Sequence, residues 1–273
     1  MNNAPIGIFD SGVGGLTVAR AILDVLPHEE IRYVGDTAHT PYGDKPLATV
    51  REYALEIMDD LVDSGVKMLV IACNTASSGV LHDARERYTD KRGIPVVEVI
   101  LPAAHQALRT TTNGRIGVIG TAATIMSGAY QDTLSVVPGI QVFAQACPRF
   151  VGFAEAGITT GAELLEVAHG YLDSLVAQDI DTLVLGCTHY PLLAGAISYV
   201  CGDKVSLVAS SAATAKRTYV ELVERDLIRD PQLPAPHHIF IPTGPSKQFM
   251  ALARQIMGPD VEGLSKPDQA RSQ

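Results

Sequence analysis

Tryptophan is absent from this chain of 273 residues, aromatic residues of all kinds make up 5% of it, and cysteine occurs only four times. No apolar run approaches the roughly 20 residues that a helix needs to cross a bilayer, which excludes a membrane-spanning helix. Basic clusters are missing too. With 21 Lys and Arg against 30 Asp and Glu, and a net charge of −9 at pH 7, the chain has no electrostatic footprint for nucleic acid or an anionic membrane. The start Met1-Asn2-Asn3-Ala4-Pro5 lacks a basic segment, and Asp10 interrupts the apolar stretch behind it. Neither a signal peptide nor an anchor is expected, and the cytoplasm is the expected compartment. The four cysteines show no paired spacing, so in that compartment they stay reduced thiols.

What the chain does have is a repeat. Four short apolar, β-branched runs in its first part return in the same order further on. Ile6-Gly7-Ile8-Phe9-Asp10-Ser11 is echoed by Ile116-Gly117-Val118-Ile119-Gly120-Thr121, and Ile31-Arg32-Tyr33-Val34 by Ile140-Gln141-Val142-Phe143. Leu69-Val70-Ile71-Ala72-Cys73-Asn74-Thr75 returns as Leu183-Val184-Leu185-Gly186-Cys187-Thr188-His189, and Ile94-Pro95-Val96-Val97 as Val205-Ser206-Leu207-Val208. The partners begin 109 to 114 residues apart, a nearly constant register. Between the runs, apolar residues recur at helical spacing, as over 16–26 and 50–62.

Strands alternating with helices predict two similar parallel α/β units produced by internal duplication, with a cleft between them. The expected division is residues 1–97 plus 210–258 for the first domain and 98–209 for the second. A helix over 212–225, a strand over 238–241 and a helix over 246–257 should pack back onto the first domain, and 259–273 should be loosely ordered. In such sheets ligands bind beyond the carboxyl ends of the strands, where Ser11, Thr121, Cys73 and Cys187 fall.

Equivalent places in a duplicated fold face one another, so Cys73 and Cys187 are expected on opposite sides of the cleft. Each follows a buried strand and precedes a predicted helix, whose free N–H groups and dipole favour a thiolate. Two opposed acid/base groups suit racemisation: one removes an α-proton and the other returns a proton to the opposite face. A disulfide between them would need Cα atoms within roughly 7 Å, incompatible with a substrate carbon between the sulfurs. A metal site built from Cys73, Cys187, His189 and Asp10 lacks the short ligand spacing of zinc. Cys147 and Cys201 lack comparable polar neighbours and read as small buried hydrophobes.

The loop Asp10-Ser11-Gly12-Val13-Gly14-Gly15 also admits a nucleotide-binding reading, with Asp36 at a distance suited to a ribose, although Thr17 replaces the last glycine of that pattern. The same loop could instead bind a carboxylate or position an ammonium group. Pro41-Tyr42-Gly43 lies in a loop able to offer backbone N–H groups to an anion, and His189 beside Cys187 is placed to tune the thiol. Local pattern alone makes Glu155 a solvated helix residue. At this level the substrate stays open.

The run from Gly7 to Val18, with Asp36-Thr37, Pro41-Tyr42-Gly43, Ala72-Cys73-Asn74-Thr75-Ala76 and Gly186-Cys187-Thr188-His189-Tyr190-Pro191-Leu192, resembles the glutamate racemases of the aspartate/glutamate racemase group. The resemblance implies an isomerase that interconverts L- and D-glutamate without pyridoxal phosphate, metal or other cofactor, and supplies D-glutamate for peptidoglycan. It implies that Cys73 acts on the D enantiomer and Cys187 on the L enantiomer. Asp10, Glu155 and His189 become supporting acid/base groups. Ser11, Tyr42, Gly43, Asn74, Thr75, Thr121 and Thr188, with Asp10 and His189, become substrate-binding residues, and a homodimer is implied. Gly152-Phe153-Ala154, before Glu155, departs from the family's usual proline and aliphatic residues. The alternatives are another acidic amino acid, such as aspartate, as substrate, or a nucleotide-binding α/β protein.

Overall fold

The computed structural model describes residues 1–244 and 246–258. The tail 259–273, expected to be loosely ordered, lies outside the described residues. Among the described residues nine strands form two all-parallel sheets. The first contains β1 (Ile6–Asp10), β2 (Ile31–Gly35), β3 (Met68–Ile71) and β4 (Val96–Glu98). The second contains β5 (Arg115–Gly120), β6 (Gln141–Ala146), β7 (Thr182–Gly186) and β8 (Ser206–Ala209). Their spatial orders are β4-β3-β1-β2 and β8-β7-β5-β6, the same winding twice. The repeat read from the sequence is therefore a repeat of topology, and the α/β duplication is borne out. β9 (Ile239–Pro242) extends the first sheet alone by pairing with β2.

These strands form because every residue of β1, β3 and β7 is buried, which rewards continuous β-branched and aliphatic sequence over an alternating pattern. The duplication reaches the packing of single residues. The space that a Cβ at Gly7 would take is filled by Val66 and Leu69, and that at Gly117 by Ile180 and Leu183, the matching positions one repeat later. On its outer face the first sheet buries Phe9, Leu69 and Ile71 against the helices Leu47–Asp63 and Asn74–Ala84. The second sheet buries Ile119, Leu183 and Leu185 with Phe150, Leu164 and Leu172. A third cluster runs through both sheets, joining Ile8 and Val70 to Val118 and Val184 through Ala103, Ala104 and Ala215 of intervening helices. Small side chains there let the helices approach closely. No helix among the described residues is long and apolar enough to cross a membrane.

At the amino ends of β2 and β3, opposite the cleft, Lys67 and Glu29 form an ion pair of 2.6 Å with both side chains buried. The Lys67 ammonium also donates to the carbonyl of Asn2, and the Arg229 N–H donates to Glu29 Oε1. Burial pulls the Lys67 ammonium below its usual range, with Glu29 opposing. Removing one partner strands a buried charge, so Lys67→Met should cost about 3–5 kcal/mol in urea unfolding, and Lys67→Met with Glu29→Leu should recover much of that loss.

Candidate active site

The carboxyl ends of both sheets converge. At the end of β1 the Asp10 carboxylate turns back under its own loop, where the Gly12 N–H donates to Oδ2 at 2.9 Å and the N–H groups of Ser11 and Gly15 also face it. The cradle that could have held a phosphate is filled by the chain's own carboxylate. Burial raises the Asp10 pKa, with His189 and the three N–H groups opposing it. Gly14 is pressed against the other half: Thr188 and His189 occupy the place where its Cβ would project. The loop contact is sealed by Thr17, whose hydroxyl donates to the carbonyl of Thr188 at 3.1 Å.

Asp36 is equally committed. Its buried carboxylate accepts from the hydroxyls of Tyr42 and Thr243, at 2.6 Å each, and contacts His39 Nδ1 at 2.9 Å. Nothing remains for a ribose, and with the glycine cradle filled the nucleotide reading loses both of its supports. Asp36 instead fixes Tyr42 and the loop that carries Gly43. A Cβ on Gly43 would come within 2.9 Å of Thr121 Cβ, and the Gly43 carbonyl accepts from the Ala123 N–H at 3.1 Å. This loop thus bridges the two halves.

Cys73 is the N-cap of the helix Asn74–Ala84, and its sulfur accepts from the Ala76 N–H and lies 3.5 Å from Ser11 Oγ. The expected thiolate-favouring environment is overturned here. Burial, with nearby Asp10 and Cys187 adding to it, pushes the thiol up to about 12, against the opposing hydrogen bonds from Ser11 and Ala76. Cys187 differs in setting. No regular α-helix starts behind it; a 3₁₀ turn over Tyr190–Leu193 intervenes before the helix Ala194–Cys201. Pro191 lacks an N–H and disfavours α conformation at the residue before it. The helix-end argument therefore applies to Cys73 alone.

Beside Cys187 the sequence places an imidazole: His189 Nδ1 lies 3.7 Å from the sulfur. Its Nε2 makes an ion-pair contact of 3.3 Å with Glu155 Oε1. Glu155 ends the helix Arg149–Glu155, which is anchored by Phe150 packing edge-on against Tyr171 and Tyr190. It is therefore not the solvated residue that its local pattern suggests. Burial alone would lower the His189 pKa, but Cys187, Glu155 and Asp10 together raise it to about 10.

Ser11, Tyr42, Gly43, Cys73, Asn74, Thr75, Thr121, Glu155, Cys187, Thr188 and His189 all line one cavity of about 250 Å³. Asp10 lies beneath it, within 3.5 Å of the Thr188 hydroxyl. Both thiols are free. A wider cavity of about 730 Å³ behind the helix Asn74–Ala84 holds neither of them. Cys147 and Cys201 are buried in the outer cluster of the second sheet. Among the described residues no three His, Cys, Asp or Glu side chains are grouped to hold a metal ion. Two contributors escaped the sequence reading. Thr124 joins Thr75 and Thr121 in a triangle of hydroxyls 2.9–3.2 Å apart, and Tyr130 donates to Asn74 Oδ1 at 2.7 Å. Thr121 and Thr124 have the three-residue spacing of a capping pair, a usable signal for Thr124, whereas Tyr130 has none.

Duplicated parallel α/β halves that bury two free thiols at equivalent strand ends define a two-lobed cleft enzyme. The Asp/Glu/hydantoin racemase family model matches residues 16–218, and the chain belongs to this family as an isomerase of the amino-acid racemase class. A glutamate racemase of Beutenbergia cavernae is 58% identical over 272 residues, covering 97% of this chain and 93% of its own length. Among solved structures, glutamate racemase from Bacillus anthracis superposes with a TM-score of 0.90 at 36% identity, covering 97% of each chain. Glutamate racemase from Francisella tularensis, in complex with D-glutamate, gives 0.89 at 34% identity, covering 97% of this chain and 98% of that one.

A pKa raised from 6.5 to about 10 means that His189 contributes stability in full below about pH 6.5 and loses it as pH rises through 10. Ring-carbon NMR should accordingly show no His189 titration step between pH 5 and 8. Alkylation of Cys73 by iodoacetamide in the free protein, followed by peptide mapping, should accelerate about tenfold per pH unit with no plateau below pH 10.

Proposed function

We propose that this racemase interconverts L- and D-glutamate by direct proton transfer between the substrate Cα and two thiols. Cys73 and Cys187 lining one small cavity from equivalent strand ends is the observation that carries the reading. In the reaction as we read it, Cys73 as thiolate takes the α-proton of D-glutamate, and the Cys187 thiol delivers its own proton to the opposite face; the L enantiomer runs the roles in reverse. Protonated His189 supplies positive charge beside Cys187 as that sulfur loses its proton, and Glu155 holds the imidazolium in place. Asp10 backs the site from beneath, near Thr188 and His189.

Substrate carboxylates meet the neutral donors of Ser11, Gly43, Asn74, Thr75, Thr121 and Thr188, with Tyr42 walling the cleft. Support for glutamate over aspartate comes from the relatives named above. The high resting pKa of Cys73 suits a base that becomes a thiolate only as an ammonium-bearing substrate enters. We take the lobes to be 1–97 with 210–258, and 98–209, working without cofactor as a cytoplasmic homodimer that supplies D-glutamate for peptidoglycan.

With either enantiomer of glutamate in deuterium oxide, label should enter at Cα, and circular dichroism of L-glutamate with no added cofactor should decay to zero. Cys73→Ser and Cys187→Ser should each lose racemisation by at least about a thousandfold. Normal turnover by either variant would refute the two-thiol reading, and preferential turnover of aspartate would change the substrate.

A further inference from the structure

Tyr130 lies on the short helix Ala129–Ser135 of the second half, fully buried, yet its hydroxyl reaches across to the first half. There it donates to Asn74 Oδ1 at 2.7 Å. Asn74 lines the cleft, and its amide nitrogen Nδ2 is buried without a hydrogen-bond partner. A buried donor left unmet is costly unless a ligand meets it. We propose that Tyr130 is a positioning residue that acts through Asn74, turning the amide so that its N–H donors face a substrate carboxylate.

The chemistry follows from the planarity of the amide. Once Oδ1 accepts from Tyr130, Nδ2 is turned away from that hydroxyl and its N–H donors are left unmet. A carboxylate only accepts hydrogen bonds, so it pairs with this orientation and is repelled by the flipped one. The flip is also opposed at Tyr130, because it would set an amide donor against the hydroxyl that now donates to Oδ1. The ring is seated independently. A Cβ on Gly186 would come within 3.0 Å of Tyr130 Cε2, so the ring lies on the residue just before Cys187. One side chain thereby ties the residue after Cys73 to the residue before Cys187, and couples the grip on the substrate to the approach of the two halves.

This inference rests on the reading that glutamate occupies the cleft, so turnover of glutamate by the unaltered enzyme is measured first. Its absence overturns that reading and this inference together. In the active enzyme, Tyr130→Phe keeps the ring and removes only the hydroxyl. It should raise KM for glutamate about tenfold, the loss of one hydrogen bond to a charged group, and change kcat less than about threefold. In an Asn74→Ala background the same replacement should change KM less than about twofold, because the residue it acts through is gone. Equal effects in both backgrounds, or an unchanged KM in Tyr130→Phe, would overturn the inference while leaving the functional reading intact. Asn74→Asp gives a second test that keeps Tyr130 in place. The new carboxylate still accepts from Tyr130 but offers no donor, so it should bind D-glutamate more weakly than Asn74→Ala does in calorimetry. Equal or tighter binding by Asn74→Asp would also overturn it.

Discussion

Gly14 carries no side chain, and the side chains of Thr188 and His189 fill the space where one would stand. That near-contact sets how closely the two halves can meet, and each further link across the cleft depends on it. Thr17 reaches Thr188, the Gly43 carbonyl accepts from Ala123, Thr75 meets Thr121, and Tyr130 reaches Asn74 only at this spacing. The result is a cavity of about 250 Å³, small enough for a single amino acid. The closeness of the halves has a chemical cost, since the burial of Cys73 and Asp10 raises the pKa of both.

The strands were legible because burial on both faces leaves long Val, Ile and Leu runs, and the repeat showed which runs correspond. Cys73 and Cys187 could be paired for the same reason: a residue at the end of β3 has its counterpart at the end of β7. Less legible was anything that depends on where a side chain turns. The glycine loop has nearly the pattern of a phosphate cradle, and no periodicity announces that Asp10 occupies it from within. The environment of Cys73 is hidden from the sequence on similar grounds. The helix start is visible in sequence, whereas the burial that outweighs it emerges only when the second half closes over the first. Tyr130 lies 56 residues from Asn74 on the other half, and no local motif links them.

Charge in the cleft is sparing. Among its lining residues there is neither lysine nor arginine, and His189 is the sole basic side chain. Hydroxyls, an amide and backbone N–H groups offer donors without net charge. Such a lining holds an anion by geometry more than by attraction, and so favours substrates whose carboxylates fit the spacing of those donors. Of the acidic groups, Asp10 is restrained by its own loop and Glu155 by His189, while Asp44, also in the lining, is exposed.

The two halves repeat one topology but dress their thiols differently. Cys73 sits on a helix end above Asp10, while Cys187 sits beside an imidazolium backed by Glu155. Mirror-image substrates have identical free energies in water, so the equilibrium constant for their exchange is unity whatever the protein does. It follows that kcat/KM must be equal for the two enantiomers, however unequal the surroundings of the sulfurs. The unlikeness of the two halves can appear only in the bound states, as a different division between kcat and KM in each direction. A duplicated fold that has diverged around its two thiols is thereby free to hold one enantiomer more tightly than the other without favouring it at equilibrium.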